Sequence, residues 1–124
     1  MQATWGGPVT LAGDALHPVI PSFGQGANLA MEDAQTLAVE LRTWRQEGGE
    51  GSPADAFRRW EAQRLPRTRE AQIGSFISGT RSYGKEKAAK SLQELDPTIL
   101  AAHQERFHDQ SALTDFLHEW EPSV

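Results

Sequence analysis

The run Val9-Thr10-Leu11-Ala12-Gly13-Asp14-Ala15-Leu16-His17-Pro18 continues through Pro21, Gly24-Gln25-Gly26 and Asn28 to Glu32-Asp33-Ala34, and it decides how the rest of the chain is read. Its first four residues are β-prone and apolar, and Pro8 and Gly13 bound them, the pattern of a short buried parallel strand. Pro18, Pro21, Gly24 and Gly26 forbid a helix until about Gly26, with Asn28 as the expected cap. A strand, a turn and a helix in that order put one carboxylate, Asp14, at the carboxyl end of the strand. They also put free backbone N–H groups at a helix start, which suits an anionic or carbonyl-bearing ligand. On these residues alone two readings of Asp14 stay open. Its carboxylate accepts hydrogen bonds from a sugar-like diol, or it caps its own turn. No other convincing strand is present, and a lone strand has nothing to pair with. Either its sheet partners lie on another chain or it does not form.

The bulk properties narrow the class. At 124 residues the chain suits one small domain. A formal net charge of −5 argues against nucleic-acid or anionic-membrane partners. With no cysteine there is neither a disulfide nor a thiolate metal site. No apolar run approaches the about 18 residues of a membrane span, and residues 1–8 read as a polar, Gly-rich loop rather than a signal peptide. A cytoplasmic location is expected.

Downstream the pattern is helical. Ala30, Ala34, Leu37, Ala38, Leu41 and Trp44 recur at helical spacing as one apolar stripe, ended by Gly48-Gly49-Glu50-Gly51. Glu32 and Asp33 are read as first-turn acids complementing the helix dipole. Ser52-Pro53-Ala54-Asp55 is a strong helix start. Phe57, Trp60, Ala62 and Leu65 follow, then Ile73, Phe76 and Ile77, with a kink or two abutting helices expected at Pro66. Residues 85–95 read as a charged helix, and Asp96-Pro97 starts another carrying Leu100, His103 and Phe107. Ser111 opens a last helix with Leu113, Phe116, Leu117 and Trp120 along one edge. As an isolated chain this is mostly α with one short strand.

The full stretch VTLAGDALHPVIPSFGQGANLAMEDA resembles the second flavin-binding signature of the FAD-dependent aromatic hydroxylases and epoxidases, the single-component flavoprotein monooxygenases. It is nearest to the salicylate hydroxylase and zeaxanthin epoxidase group. Phe57, Arg58, Trp60, Glu61, Arg64 and Pro66-Arg67 are similar to that family's aromatic–Glu–two residues–Arg segment, so the likeness covers roughly residues 5–84. It implies FAD as cofactor, NAD(P)H as co-substrate, and transfer of one oxygen atom from O2 to an aromatic or alkene substrate. It further implies that Asp14 hydrogen-bonds a ribityl hydroxyl and that Pro21 lies against the isoalloxazine ring. Gly24, Gln25, Gly26, Ala27 and Asn28 then present N–H groups to the pyrimidine end of the flavin. His17 fits the pattern in a positional role, and Leu16 stands where the family more usually has a small residue.

The family's strand, G-x-G-x-x-G turn and helix have no match here, because Gly48-Gly49-Glu50-Gly51 follows a helix. The expectation is therefore a fragment of the Rossmann-like α/β FAD/NAD(P)-binding fold. Residues 1–84 form the C-terminal part of the FAD-binding domain, and residues 85–124 form a helical extension. The fragment is expected to be inactive alone. Its alternatives are an interaction subunit that complements a separate N-terminal half, and a ligand-free helical remnant of a truncated gene. No metal site is expected, because His103, His108 and His118 do not share a helix face. Five arginines within residues 58–69 are read, with Glu61 and Glu70 interleaved, as a salt-bridged helix surface. No catalytic side chain is assigned.

Overall fold

The computed structural model describes residues 9–50, 52–82, 90 and 94–119. Two long helices, α1 (Gly26–Gln46) and α2 (Ala54–Ser82), form the frame, and two short ones, α3 (Pro97–Arg106) and α4 (Gln110–His118), pack onto α2. The pairs Glu32–Arg67, Asp33–Arg64 and Glu40–Arg59 run in opposite senses along α1 and α2, so these helices are antiparallel. Short 3-10 turns at Gly13–Ala15 and Pro21–Phe23 shape the segment that precedes α1. The charged helix expected over residues 85–95 falls for the most part outside the described residues, as do residues 1–8 and Trp120.

The expected strand is not there. No strand occurs among the described residues, and residues 9–12 carry no ladder although Ala12 is extended at φ −140° and ψ 164°. An extended segment becomes a strand only when a neighbour takes up its N–H and C=O groups. Here the Thr10 hydroxyl instead donates to Glu61 Oε1 at 2.7 Å, tying the segment to α2 by a side chain.

Helix starts follow the capping chemistry, with two shifts. Ser52 Oγ accepts from the Ala54 N–H at 3.3 Å, and Asp96 accepts from the Thr98 N–H at 2.8 Å with Pro97 at the first helical position. The last helix is capped by Asp109, which accepts from the Ala112 N–H at 2.9 Å, and not by Ser111. Asn28 is not the cap of α1 either. It lies inside the helix and its amide reaches back to Gln25 Oε1 at 3.3 Å.

Pro66 lies inside one continuous helix rather than between two. Residues on both sides of it, Arg64 and Arg67, are pinned to the same partner helix, which holds α2 on one course despite the missing N–H.

The larger correction concerns α1. Its buried residues are Leu29, Glu32, Asp33, Thr36 and Glu40, whereas Ala34 and Ala38 of the expected stripe are exposed and Ala30, Leu37, Leu41 and Trp44 half-buried. Glu32 and Asp33 lie beyond the first turn and face α2. Apolar packing is confined to two clusters. Leu16 and Trp60 gather Leu11, Leu37 and Leu65, while Leu29, Ala71, Leu113 and Leu117 gather Val19, Phe23, Phe107 and Phe116. The second cluster joins α4 directly to α1 and α2. At Gly74 the approach of α4 is so close that a Cβ would sit 2.1 Å from Leu113 Cδ2.

Candidate functional site

The segment from Gly13 to Gln25 is a loop whose backbone is fixed from beneath. Gly13 adopts φ +58°, in the left-handed region that glycine occupies without strain, and its carbonyl accepts from the N–H groups of both Leu16 and His17 at 2.9 Å. The second turn closes through the Gly24 N–H to the Pro21 carbonyl at 3.1 Å, with Gly24 at φ +70°. Between the turns α2 takes hold of the chain. Ser75 Oγ accepts from the Ile20 N–H at 2.6 Å, and the Gln72 amide donates to the Pro18 carbonyl at 3.3 Å.

The strongest anchor is Asp33, 1% exposed. One carboxylate oxygen accepts from the Gly13 N–H at 2.8 Å and lies 2.5 Å from His17 Nε2. Its other oxygen accepts from Arg64 Nε at 2.8 Å, and its backbone carbonyl accepts from the Trp60 indole at 3.0 Å. Arg64, equally buried, also reaches Glu32 at 2.8 Å. Arg67 grips both oxygens of Glu32 at 2.7 and 2.8 Å and donates to the carbonyls of Phe116 and Leu117 at 2.8 Å. Burial alone would raise the Asp33 pKa, but the hydrogen bonds from His17, Gly13 and Arg64 outweigh it and hold the carboxyl below the usual carboxylate value.

The two sequence segments singled out above therefore fold onto each other. Gly13, His17, Glu32 and Asp33 come from the first, and Trp60, Glu61, Arg64 and Arg67 from the second. The arginine cluster is not simply a solvated helix face, because Arg59, Arg64 and Arg67 are paired across to α1. Arg58 does pair with Asp55 on the exposed side of α2. Reading α1 for apolar periodicity missed this network. The available signal was two adjacent acids on one helix and two arginines, three residues apart, on the next.

The outer face of the loop contrasts with its base. Asp14 and Pro21 are exposed, and among the described residues no hydrogen bond engages the Asp14 carboxylate. Helix α1 begins without a side-chain cap, and its first hydrogen bond runs from the Leu29 N–H to the Gln25 carbonyl at 2.9 Å. The N–H groups of Gly26, Ala27 and Asn28 precede that bond, so no helical carbonyl receives them. Asp14 stands beside this helix start. A Cβ on Gly26 would come within 3.8 Å of Asp14 Oδ1 and 3.4 Å of Val19 Cγ2, both ordinary contacts. Packing within the chain thus does not demand glycine at position 26, and the bare backbone leaves space between the carboxylate and the helix start.

The acceptor and donor set on this face fits FAD. A carboxylate suits a polyol hydroxyl, and uncapped N–H groups suit a ring carbonyl or a developing negative charge. Asp14, Pro21, Gly24, Gln25, Gly26, Ala27 and Asn28 all lie on the one continuous segment that carries this face. Among the described residues there is no group of three or more His, Asp or Glu side chains that could hold a metal ion. No helix is long and apolar enough to cross a membrane among them either.

Comparison with known proteins gives a consistent result. A family model described as "FAD binding domain" matches residues 2–72. The chain is 50% identical over 73 residues to a 3-amino-4-hydroxybenzoate 2-monooxygenase of Streptomyces platensis, covering 59% of this chain and 17% of the relative. It is 44% identical over 68 residues to the chloroplastic zeaxanthin epoxidase of Oryza sativa subsp. japonica, covering 51% and 10%. To the 3-hydroxybenzoate 6-hydroxylase 1 of Aquipseudomonas alcaligenes it is 39% identical over 90 residues, covering 72% and 21%. The chain thus spans from a tenth to about a fifth of the length of these relatives. No solved structure matches it with comparable significance.

Proposed function

This chain belongs to the FAD binding domain family, and from that membership we propose that it supplies one side of the flavin site of an FAD-dependent monooxygenase. Such an enzyme inserts one oxygen atom from O2 into an aromatic or alkene substrate with NAD(P)H as reductant. The observation that carries the reading is the pairing of the unengaged Asp14 carboxylate with the uncapped start of α1 on one exposed face. Asp14 takes a ribityl hydroxyl, and Pro21 lies against the isoalloxazine ring. Gln25, Gly26, Ala27 and Asn28 present backbone N–H groups to its pyrimidine end, while Gly24, whose own N–H closes the turn on the Pro21 carbonyl, shapes the backbone that aims them. Bound FAD supplies the redox and oxygen chemistry. The protein's part is to bind and orient, and the positive end of the α1 dipole favours negative charge on whatever lies against it.

The relatives named for aminohydroxybenzoate and hydroxybenzoate support a single-ring aromatic substrate. Residues 1–84 are assigned to flavin binding and residues 85–124 to a helical extension, which α4 docks onto the first part through Leu113 and Leu117. Turnover requires more than this chain provides, given the short share of the relatives that it covers. A cytoplasmic location belongs to the same proposal and is tested by cell fractionation.

One observation favours a second reading, in which the chain complements a separate N-terminal half. Residues 9–12 carry no ladder, Ala12 is extended, and Val9 and Met31 are 60% and 63% exposed. Fluorescence titration of the chain with FAD tests the first reading. Saturable binding that Asp14→Ala weakens supports it, and binding indifferent to Asp14→Ala overturns the assignment. NADPH oxidation by this chain alone overturns the incompleteness. Enhanced FAD binding on adding a chain that carries a G-x-G-x-x-G turn supports the second reading, and no complex refutes it. A broad, uncooperative thermal transition would favour the remnant alternative instead.

A further inference from the structure

Phe23 of the loop and helices α2, α3 and α4 line a partly open cavity of about 350 Å³. That is the lower end of the size range for small-molecule sites. Phe23, Ile77, Phe107 and Leu113 form its apolar walls, and Ser78, Gln104 and His103 supply polar groups. None of Asp14, Pro21, Gly24 or Gly26 lines it, so it is separate from the face assigned to FAD.

His103 is the chemically informative member. It is 3% exposed, its Nδ1 lies 2.5 Å from Glu70 Oε2, and its ring stands 5.0 Å from that of Phe107. When the Glu70 carboxylate accepts the Nδ1 proton, the neutral imidazole keeps its lone pair on Nε2, a hydrogen-bond acceptor. The charges nearby select among ligands. Among the described residues no lysine or arginine lines the cavity, while Asp109 does, paired with His108 at 3.4 Å. Arg106 is drawn 3.9 Å from Glu70 and over the Phe107 and Phe116 rings, away from the lining. A carboxylate ligand would meet the Asp109 carboxylate, with no lysine or arginine of the described lining to receive it. An uncharged aromatic alcohol meets aromatic walls and an acceptor for its O–H.

We propose that this cavity is a binding site for an uncharged single-ring phenol, with its hydroxyl donating to His103 and its ring against Phe23 and Phe107. Because Phe23 ends the second turn of the loop two residues after Pro21, the ligand would touch the loop. This site stands whether or not the loop's outer face holds flavin, so the two readings fail separately.

The test is a 1H–15N NMR titration of the full chain with phenol, benzoate and cyclohexanol, without flavin. Phenol is expected to shift the amides of Ile77, Ser78, His103, Phe107 and Leu113 saturably, with benzoate and cyclohexanol each much weaker. His103→Phe keeps a ring but removes the acceptor, and should weaken phenol by about tenfold, the loss of one hydrogen bond. Ser78→Trp fills the cavity from its half-buried wall and should abolish the shifts, which keeps the test decisive if His103→Phe does not fold. Absence of saturable shifts at these residues, benzoate binding as tightly as phenol, or phenol affinity unchanged in the folded variants would overturn the proposal.

Discussion

Replacing Asp33 by asparagine keeps the shape of the side chain and removes only its charge and one acceptor. In the native chain Oδ1 accepts from Arg64 while Oδ2 serves the Gly13 N–H and His17. An amide has one oxygen. If it faces Arg64, the amide nitrogen confronts the Gly13 N–H, and if it faces Gly13 the nitrogen confronts the Arg64 guanidinium. Either orientation leaves a donor unsatisfied, at about 1–3 kcal/mol, and forfeits a charge-assisted hydrogen bond of about 1.5–3 kcal/mol. The sum, about 2.5–6 kcal/mol, brackets the about 3–5 kcal/mol that breaking a buried ion pair by removing one partner usually costs. Against a total stability of about 5–15 kcal/mol, that is enough to unfold a substantial fraction of the chain. Urea unfolding followed by circular dichroism reads the change directly. Asp33→Leu combined with Arg64→Leu should cost less than the sum of the single changes, because the second removes the charge that the first strands. A loss below about 1 kcal/mol for Asp33→Asn, or strict additivity in the double variant, would refute the claim that this carboxylate holds the loop to the helices.

Acid should act through the same group. The folded chain lowers the Asp33 pKa, so the unfolded chain takes up the proton first, and the stabilisation is complete above about pH 4 and lost as pH falls through the lowered folded value. Asp33→Asn should therefore flatten the stability profile below about pH 4, measured by urea midpoints across pH. Gly74→Ala places a methyl 2.1 Å from Leu113 Cδ2, and repacking of that flexible end should cost about 1–3 kcal/mol, offset by about 1 kcal/mol of helix propensity. Leu113→Val in the same chain should recover part of the thermal shift. Pro66→Ala restores the N–H to the Ala62 carbonyl of a continuous helix and should raise the thermal midpoint, by up to about 3 kcal/mol in stability.

The extent to which these features are legible in sequence depends on where the energy comes from. Caps and breakers are local, so Ser52-Pro53, Asp96-Pro97 and the glycines after Gln46 place their helix ends well. Trp60, Ile73, Leu113 and Leu117 are buried as their spacing implies. The failures share one cause. Apolar periodicity assigns the inner face of α1 to Ala34 and Ala38, but that face is held by charge, and charge satisfied by a partner helix carries no periodic apolar mark. The strand fails for a related reason. Residues 9–12 have the composition of a strand, yet a ladder is a property of two segments, and among the described residues no second segment accepts it. The residues proposed for the outer face of the loop do little for the fold, so their composition is not explained by packing. Among the described residues no hydrogen bond engages the Asp14 carboxylate, and Gly26 is not forced by packing.

This division of labour bears on how the site works. Residues that hold the loop, His17, Asp33, Arg64 and Ser75, point inward and are buried, whereas those assigned to the cofactor point outward from the same turns. Gly13 belongs to both sets. Its N–H is fixed by Asp33 and its neighbour is Asp14, so the position of the ligand-facing carboxylate is set one residue away from the buried Asp33–Arg64 ion pair. Arg67 extends the same lattice to the end of α4 through the Phe116 and Leu117 carbonyls. An unbroken sequence of hydrogen bonds thus runs from α4 through Arg67, Glu32, Arg64 and Asp33 to the Gly13 N–H, and Gly13 is bonded directly to Asp14. On this geometry the C-terminal helices are part of the support for the loop, and removing them should loosen the Asp14 turn even though no residue beyond Asn28 is assigned to the flavin.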